Sequence, residues 1–275
     1  MKIGMVLLLL LVNTGNMKAQ ELYVFTEPAS NIPAHALSAR ITGHFVGRDR
    51  IYGRFSQRYM PELMAGISKN LMVHLYGTWA DMHVSRLKFE SYGVYAKYRF
   101  FSNDGLHRHF RMAAFADASK TNSPFHYDET TLMGDKSGLS LGLIATQLWH
   151  KWAVSATLST TQVLDKSRGK STIYIPPRNY QAMDYSLSTG YLLFPREYKG
   201  YDQVNLNLYL ELLGQRSLDR RLHFTDLAPA LQFIFGSNTR LNFGYRFQLE
   251  GTMQRMATQS YLVSVERIFL NALKK

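Results

Sequence analysis

Three stretches place histidine near a possible nucleophile or a second ligand. "DMHVSR" sets His83 two residues from Ser85, a spacing at which a base on a strand face reaches a neighbouring hydroxyl. A catalytic triad is defined by geometry, and no asparagine-bearing partner segment accompanies this pair, so outer-membrane lipid hydrolysis stands only as a weak alternative. "LHRHF" alternates His107 and His109, and "FHYDE" puts His126 beside Asp128 and Glu129. Neither supplies three or four ligands at a recognised spacing, so no metal or other cofactor is expected. No glycine-rich phosphate loop occurs. Cysteine is absent, which excludes disulfides, thiolate sites and a lipid-anchored cysteine. No catalytic constellation is convincing, and the expectation is a non-enzyme.

The charged residues that remain fall at every second position of apolar segments. In "NLNLYLELLG" Leu206, Leu208, Leu210 and Leu212 take one phase, while Asn205, Asn207, Tyr209 and Glu211 take the other. Side chains of a strand alternate sides, so this is a strand with one leucine face and one polar face. The same alternation runs through "ALSARITGHF", "YGVYAKYRFF" and "RLNFGYRFQLE", and more weakly through 57–68, 71–82, 108–119, 137–149, 151–162, 180–194, 222–235 and 258–270. Together they make about twelve strands, many near the length of a membrane-crossing strand. The links alternate as well. "SKN", "SNDGLHR", "WHK" and "GSNT" are short, "PREYKGYD" is moderate, and "SKTNSPFHYDETTLMGDKS" and "LDKSRGKSTIYIPPRN" are long and polar. Short periplasmic turns alternating with longer extracellular loops belong to an outer-membrane barrel. Tyr98, Phe110, Trp149, Trp152, Tyr191 and Phe233, with Phe100, Phe194 and Phe235, flank the short links and form an expected aromatic girdle. In the last strand Arg267 interrupts the apolar face of Tyr261, Val263, Val265 and Phe269, which requires an interfacial position or a slipped register.

"MKIGMVLLLLLVNTGNMKAQ" combines Lys2, an apolar run from Met5 to Val12 and a small residue at Ala19, the pattern of a cleaved secretory signal peptide over 1–20. The barrel domain then covers 21–275. Net charge is +12, and the balance stays basic without Lys2 and Lys18. For an exported chain this favours lipid phosphate over nucleic acid.

Several stretches resemble a family of uncharacterised outer-membrane β-barrel proteins from Bacteroidota: "ELYVFTEPASNIPAHALSAR", "YAKYRFFSND", "HFRMAAF", "ATQL", "PREYKGY" and "LAPALQFIF". The resemblance implies a barrel in the Gram-negative outer membrane and carries no site residues.

The polar phase supplies the lumen. Arg40, Glu62, Lys97, Arg99, Arg111, Asp117, Asp184, Glu211, Asp226, Arg246 and Glu250 lie on it, with Arg58. Lys97, Arg99 and Arg111 fall near the periplasmic turns and many acids farther out, an expected basic inner ring and acidic outer section that would select ions. The expected function is a narrow porin-like channel for small hydrophilic solutes or ions. The alternative is a closed structural or interaction barrel whose charges pair in a filled interior. Its outer loops, carrying Lys166, Arg168, Lys170, Arg216, Arg220 and Arg221, would bind lipid, including the anionic phosphates of lipid A, or a partner.

Overall fold

A computed structural model describes residues 23–47, 53–82, 85–105, 108–122, 127–164, 179–195 and 203–274. The expected signal peptide, His83, His107, His126, Lys166, Arg168 and Lys170 lie outside the described residues. Twelve strands follow one another without a helix among the described residues: β1 (Leu37–Val46), β2 (Ser56–Gly66), β3 (Leu71–Ala80), β4 (Lys88–Gly105), β5 (Arg108–Thr121), β6 (Gly138–Trp149), β7 (Trp152–Val163), β8 (Gln181–Phe194), β9 (Asn205–Ser217), β10 (His223–Phe235), β11 (Thr239–Gly251) and β12 (Gln259–Phe269). Every strand pairs antiparallel with its sequence neighbours, and β1 pairs with β12 from Leu37↔Phe269 to Phe45↔Tyr261. Closure removes the two free edges, which would otherwise leave a row of ladder donors and acceptors unpaired in hydrocarbon.

The outer wall is apolar. On β9, Leu208 and Leu210 face outward while Glu211, the next residue, is fully buried. Leu63, Leu75, Val94, Leu141, Leu143, Leu158, Leu187, Phe243 and Val265 are exposed on other strands. In water that surface would be costly, and against lipid it is the favoured face. The chain is therefore a transmembrane antiparallel barrel. The core inside the wall is polar: Ser155, Ser188, Thr78, Thr146, Asn242 and Gln232 point inward and are buried.

The aromatic girdle forms at the end that carries the short turns. Tyr98, Trp149, Trp152 and Tyr191 are exposed there, Trp149 stacks on Trp152 at 5.3 Å, Phe110 packs edge-on to Phe101 at 5.9 Å, and Phe233 stacks with Phe235 at 6.5 Å. A second band, not expected from sequence, lies at the opposite end on β11, β12 and β1 to β4. There Tyr245 meets Tyr261 at 4.9 Å, Phe45 meets Tyr59 at 6.0 Å and Trp79 meets Phe89 at 4.9 Å. Arg267 keeps the register, opposite Ala39 and Thr239, and reaches Asn238 and Thr239 of the β10–β11 turn, an interfacial position.

The short link "SNDGLHR" is shorter still than its pattern suggests, because the β4–β5 ladder extends into it, pairing Ser102↔Arg111 and Gly105↔Arg108, with Asp104 tying Ser102, His109 and Arg111 together. One expectation about the links needs correction. The long polar link after β5 is not an external loop where it is described. Residues 127–137 turn back into the barrel and are mostly buried.

Candidate functional site: the lumen and its two occluding segments

Two stretches of chain fill the lumen, one from each end. At the turn end, residues 23–36 run inside the wall before β1 begins. Glu211 of β9 holds the start of this segment. Its Oε1 accepts the backbone N–H groups of Val24 and Phe25, each at 2.9 Å, and its Oε2 accepts the hydroxyls of Thr26 at 2.6 Å and Ser188 at 3.2 Å. Across the barrel, Lys97 of β4 is fully buried and donates to the carbonyls of Pro28 at 2.6 Å and Ser30 at 2.9 Å, and to Glu27 at 3.3 Å. Thr146 of β6 accepts the Ala29 N–H at 2.9 Å, and Arg111 of β5 donates to the Ser30 hydroxyl at 2.9 Å. An extended segment without its own ladder exposes unpaired backbone groups, and here the wall side chains satisfy them.

Glu27 completes an ion-pair network. Arg40 of β1 reaches Glu27 at 3.2 Å and Glu62 of β2 at 2.6 Å, and Glu62 also meets His74 Nδ1 at 2.6 Å. Burial alone would push the Glu27 carboxyl up, but Lys97 and Arg40 outweigh it and hold the group down at about 2. A cavity of about 30 Å³, room for a water or two, lies between this segment and Arg40, Gln232, Arg240 and Glu266 of the wall.

From the other end enters the segment 127–137. Its hub is Arg255, in the link between β11 and β12. Arg255 donates to Glu129 at 2.9 and 3.2 Å and to both oxygens of Asp226 at 2.8 Å, and its guanidinium lies 3.7 Å over the Phe224 ring. Arg246 of β11 adds a 2.6 Å bond to Asp226 and approaches Glu129 at 3.6 Å. Burial favours the neutral Glu129 carboxyl, yet Arg255 and Arg246 hold its pKa below the usual carboxylate range. Arg58 of β2 grips Glu90, Asp135 and the Met133 carbonyl, and packs against Gly134, whose φ of +104° suits glycine. Gln215 exchanges bonds with the Thr130 backbone at 2.8 and 3.3 Å. Lys136 is fully buried and donates to the Tyr127 carbonyl at 2.6 Å; burial brings its pKa down to about 8, against the pull of Asp135, Asp128 and Glu129.

Between the segments lies a chamber of about 310 Å³, continuous in lining with an outer vestibule of about 140 Å³ through Glu129, Thr131, Met133 and Arg246. Asp117, Asp184 and Arg246 face the chamber, and Asp226 and Arg246 face the vestibule. Arg40 lies beside the inner segment, while Glu62, Lys97, Arg111 and Glu211 clasp it or its partners. Two expected lumen residues sit elsewhere. Arg99 is at the turn-end rim, donating to the Lys69 carbonyl at 2.9 Å. Glu250 lies beyond a register shift in β10–β11 and is exposed at the outer end. Of the expected basic inner ring, Lys97 and Arg111 lie side by side on β4 and β5 and are engaged by the chain's own carbonyls and hydroxyls. Asp128 and Glu129 serve the segment's own contacts, with Asp128 accepting the Gln254 N–H at 2.9 Å, and the described residues hold no cluster of three metal-ligating groups. Sequence reasoning missed Glu27, Arg255 and Thr146. Arg255 lies in a link without alternation, and nothing marks Glu27 as lumenal before the segment is seen inside the barrel.

No family model matches the chain, and no curated protein does. Among solved structures it is similar to the COG4313 outer membrane channel from Pseudomonas putida F1, with a TM-score of 0.57 and 12% identity over 90% of this chain and 100% of that one. The KdgM porin and the beta domain of the Bordetella autotransporter BrkA each align at a TM-score of 0.48 over 85% of this chain and 99% of theirs, with 9% and 12% identity. At such identities the first likeness supports the outer-membrane barrel fold that the wall itself displays.

Proposed function

We propose that this protein is a channel of the Gram-negative outer membrane for small hydrophilic solutes or ions, held closed in the described state by two segments of its own chain. One observation carries the reading. Both segments are held by hydrogen bonds and ion pairs to side chains of the wall and of the β11–β12 link, and a chamber of about 310 Å³ that Asp117, Asp184 and Arg246 face lies between them. Segments held by polar groups lose little on release into a wet lumen, because water replaces each contact. A purely structural barrel of this size gains nothing from such a chamber.

The test is swelling of liposomes carrying the purified full chain in which Glu211→Leu and Arg255→Gln loosen both segments. Small solutes such as glycine and arabinose should enter, while a pentasaccharide should not. Failure of every small solute to enter, with the barrel folded by its heat-dependent gel shift, would overturn the channel reading.

The exposed Arg216, Arg220 and Arg221 at the outer end support a second contact, with anionic lipid phosphates at the membrane surface. Neutralising all three should weaken association with lipid A in micelles and leave solute entry unchanged.

A further inference from the structure

We propose that the chamber between the two segments is a binding site for a small organic cation of the ammonium class. The inference rests on the channel reading and names the solute that the lumen would select.

Its charge balance leads there. Arg246 faces the chamber but is engaged by Asp226 and Glu129, and Glu129 is matched by Arg255. Glu27 is matched by Arg40 and Lys97. Two carboxylates are left over. Asp117 of β5 accepts the Tyr76 hydroxyl at 2.9 Å and the Ala118 N–H, and Asp184 of β8 accepts Thr161 at 2.8 Å and the Gln215 amide at 2.5 Å. No lysine, arginine or histidine among the described residues lies within ion-pair distance of either. They sit on one belt of the wall, since Asp117 pairs with Ser140, Ser140 with Thr161, and Thr161 bonds Asp184. Three strand steps separate them, roughly 14 Å across the sheet. A desolvated carboxylate without a cation is unfavourable, so a paired pocket of this kind gains from a positive ligand.

The remaining lining fits an organic cation better than a metal ion. Tyr95, Phe115 and Tyr185 all line it, with Tyr95 and Phe115 stacked at 5.4 Å and 28°. Room for the rings comes from Gly142 and Gly214, where a Cβ would fall 2.5 Å from Phe115 and 2.1 Å from Tyr185. Aromatic faces attract alkylammonium groups through the ring quadrupole. Thr130, 2% exposed, and Tyr95 both line the chamber, and the hydroxyl of each has no hydrogen-bond partner among the described residues. At about 310 Å³ the chamber matches the lower range of small-molecule sites.

The test is calorimetric titration of the full chain in detergent with choline, with its neutral carbon isostere 3,3-dimethylbutan-1-ol, and with acetate. Wild type and Glu211→Leu are both titrated, so that closure of the inner end does not hide the site. Choline should bind at least tenfold more tightly than the isostere, acetate should not bind, and Asp117→Asn with Asp184→Asn should weaken choline at least tenfold. Equal affinity for the isostere, undiminished choline affinity in the double variant, or no saturable choline binding in either protein would overturn the site. If the double variant loses its heat-dependent gel shift, the isostere comparison and the fall of choline affinity with added salt decide instead. Solute entry without choline binding would sink this inference alone, and choline binding without solute entry would sink the channel alone.

Discussion

Replacing Glu211 by leucine should release the inner segment. In the docked state Glu211 is the acceptor for the Val24 and Phe25 N–H groups at 2.9 Å and for the Thr26 hydroxyl at 2.6 Å, in a position with no exposure. Leucine leaves the two N–H groups buried without partners, at about 1–3 kcal/mol each, or about 2–6 kcal/mol together. Released, they find water. At about 1.4 kcal/mol per tenfold, the docked population falls by about thirtyfold to ten-thousandfold. Glu211→Gln keeps an acceptor for both N–H groups and loses the charge assistance and the acceptor for the Thr26 and Ser188 hydroxyls, which can turn to accept from the amide, a smaller effect. The chain has no cysteine, so Ser30→Cys introduces a single thiol at a site 7% exposed in the docked segment. Maleimide labelling should be slow in Ser30→Cys alone, at least thirtyfold faster with Glu211→Leu, and only slightly faster with Glu211→Gln. Equal rates in all three proteins, each with its heat-dependent gel shift intact, would refute the clamp.

Arg255→Gln removes the partner shared by Glu129 and Asp226, and breaking such a buried pair is expected to cost about 3–5 kcal/mol, seen as faster trypsin cleavage near Lys136 in the detergent-solubilised barrel. Docking of the same segment should respond to pH at two places. Glu129 has its pKa lowered when docked, so its contribution is present above the ordinary carboxylate range and is lost as acid carries pH down through the lowered value. Lys136 is also lowered, from 10.5 to about 8, so docking is weakest while it is protonated in both states and strengthens as pH rises through that window. Cleavage near Lys136 by a protease active across the range should therefore rise below the carboxylate range and fall above about pH 8; a flat profile would contradict the assignment of both groups. Leu210→Arg places a charge on the lipid face of β9 and should destabilise the refolded barrel by about 2–4 kcal/mol in lipid vesicles by urea titration, whereas the same change in detergent-free aqueous folding has no meaning for a chain that needs lipid.

The wall was legible from the sequence because its physics is periodic. Leu208, Leu210 and Glu211 alternate at strand period, and lipid outside with polar groups inside makes every slip by one residue expensive, so strand positions came out within a few residues. β4 is the exception, extended to Gly105 because Asp104 gathers three polar partners that pattern reading took for a turn. The lumen was legible only as a list of inward charges. That Lys97 would hold the Pro28 and Ser30 carbonyls, and that Arg255 would join Asp226 to Glu129, depends on two irregular segments folding back. Such segments carry no periodic signal, and their partners lie far away in sequence. The second aromatic band escaped for a related reason. Tyr59, Trp79, Tyr245 and Tyr261 stand beside links of mixed length, so no single class of link marked them.

Single-channel recording in planar bilayers tests the central claim most directly, with wild type, Glu211→Leu, Arg255→Gln and the double variant compared side by side. Two occlusions in series predict a closed wild type, brief or rare openings in each single variant, and sustained conductance only when both are loosened. A silent double variant with an intact barrel, or full conductance already in wild type, would contradict it.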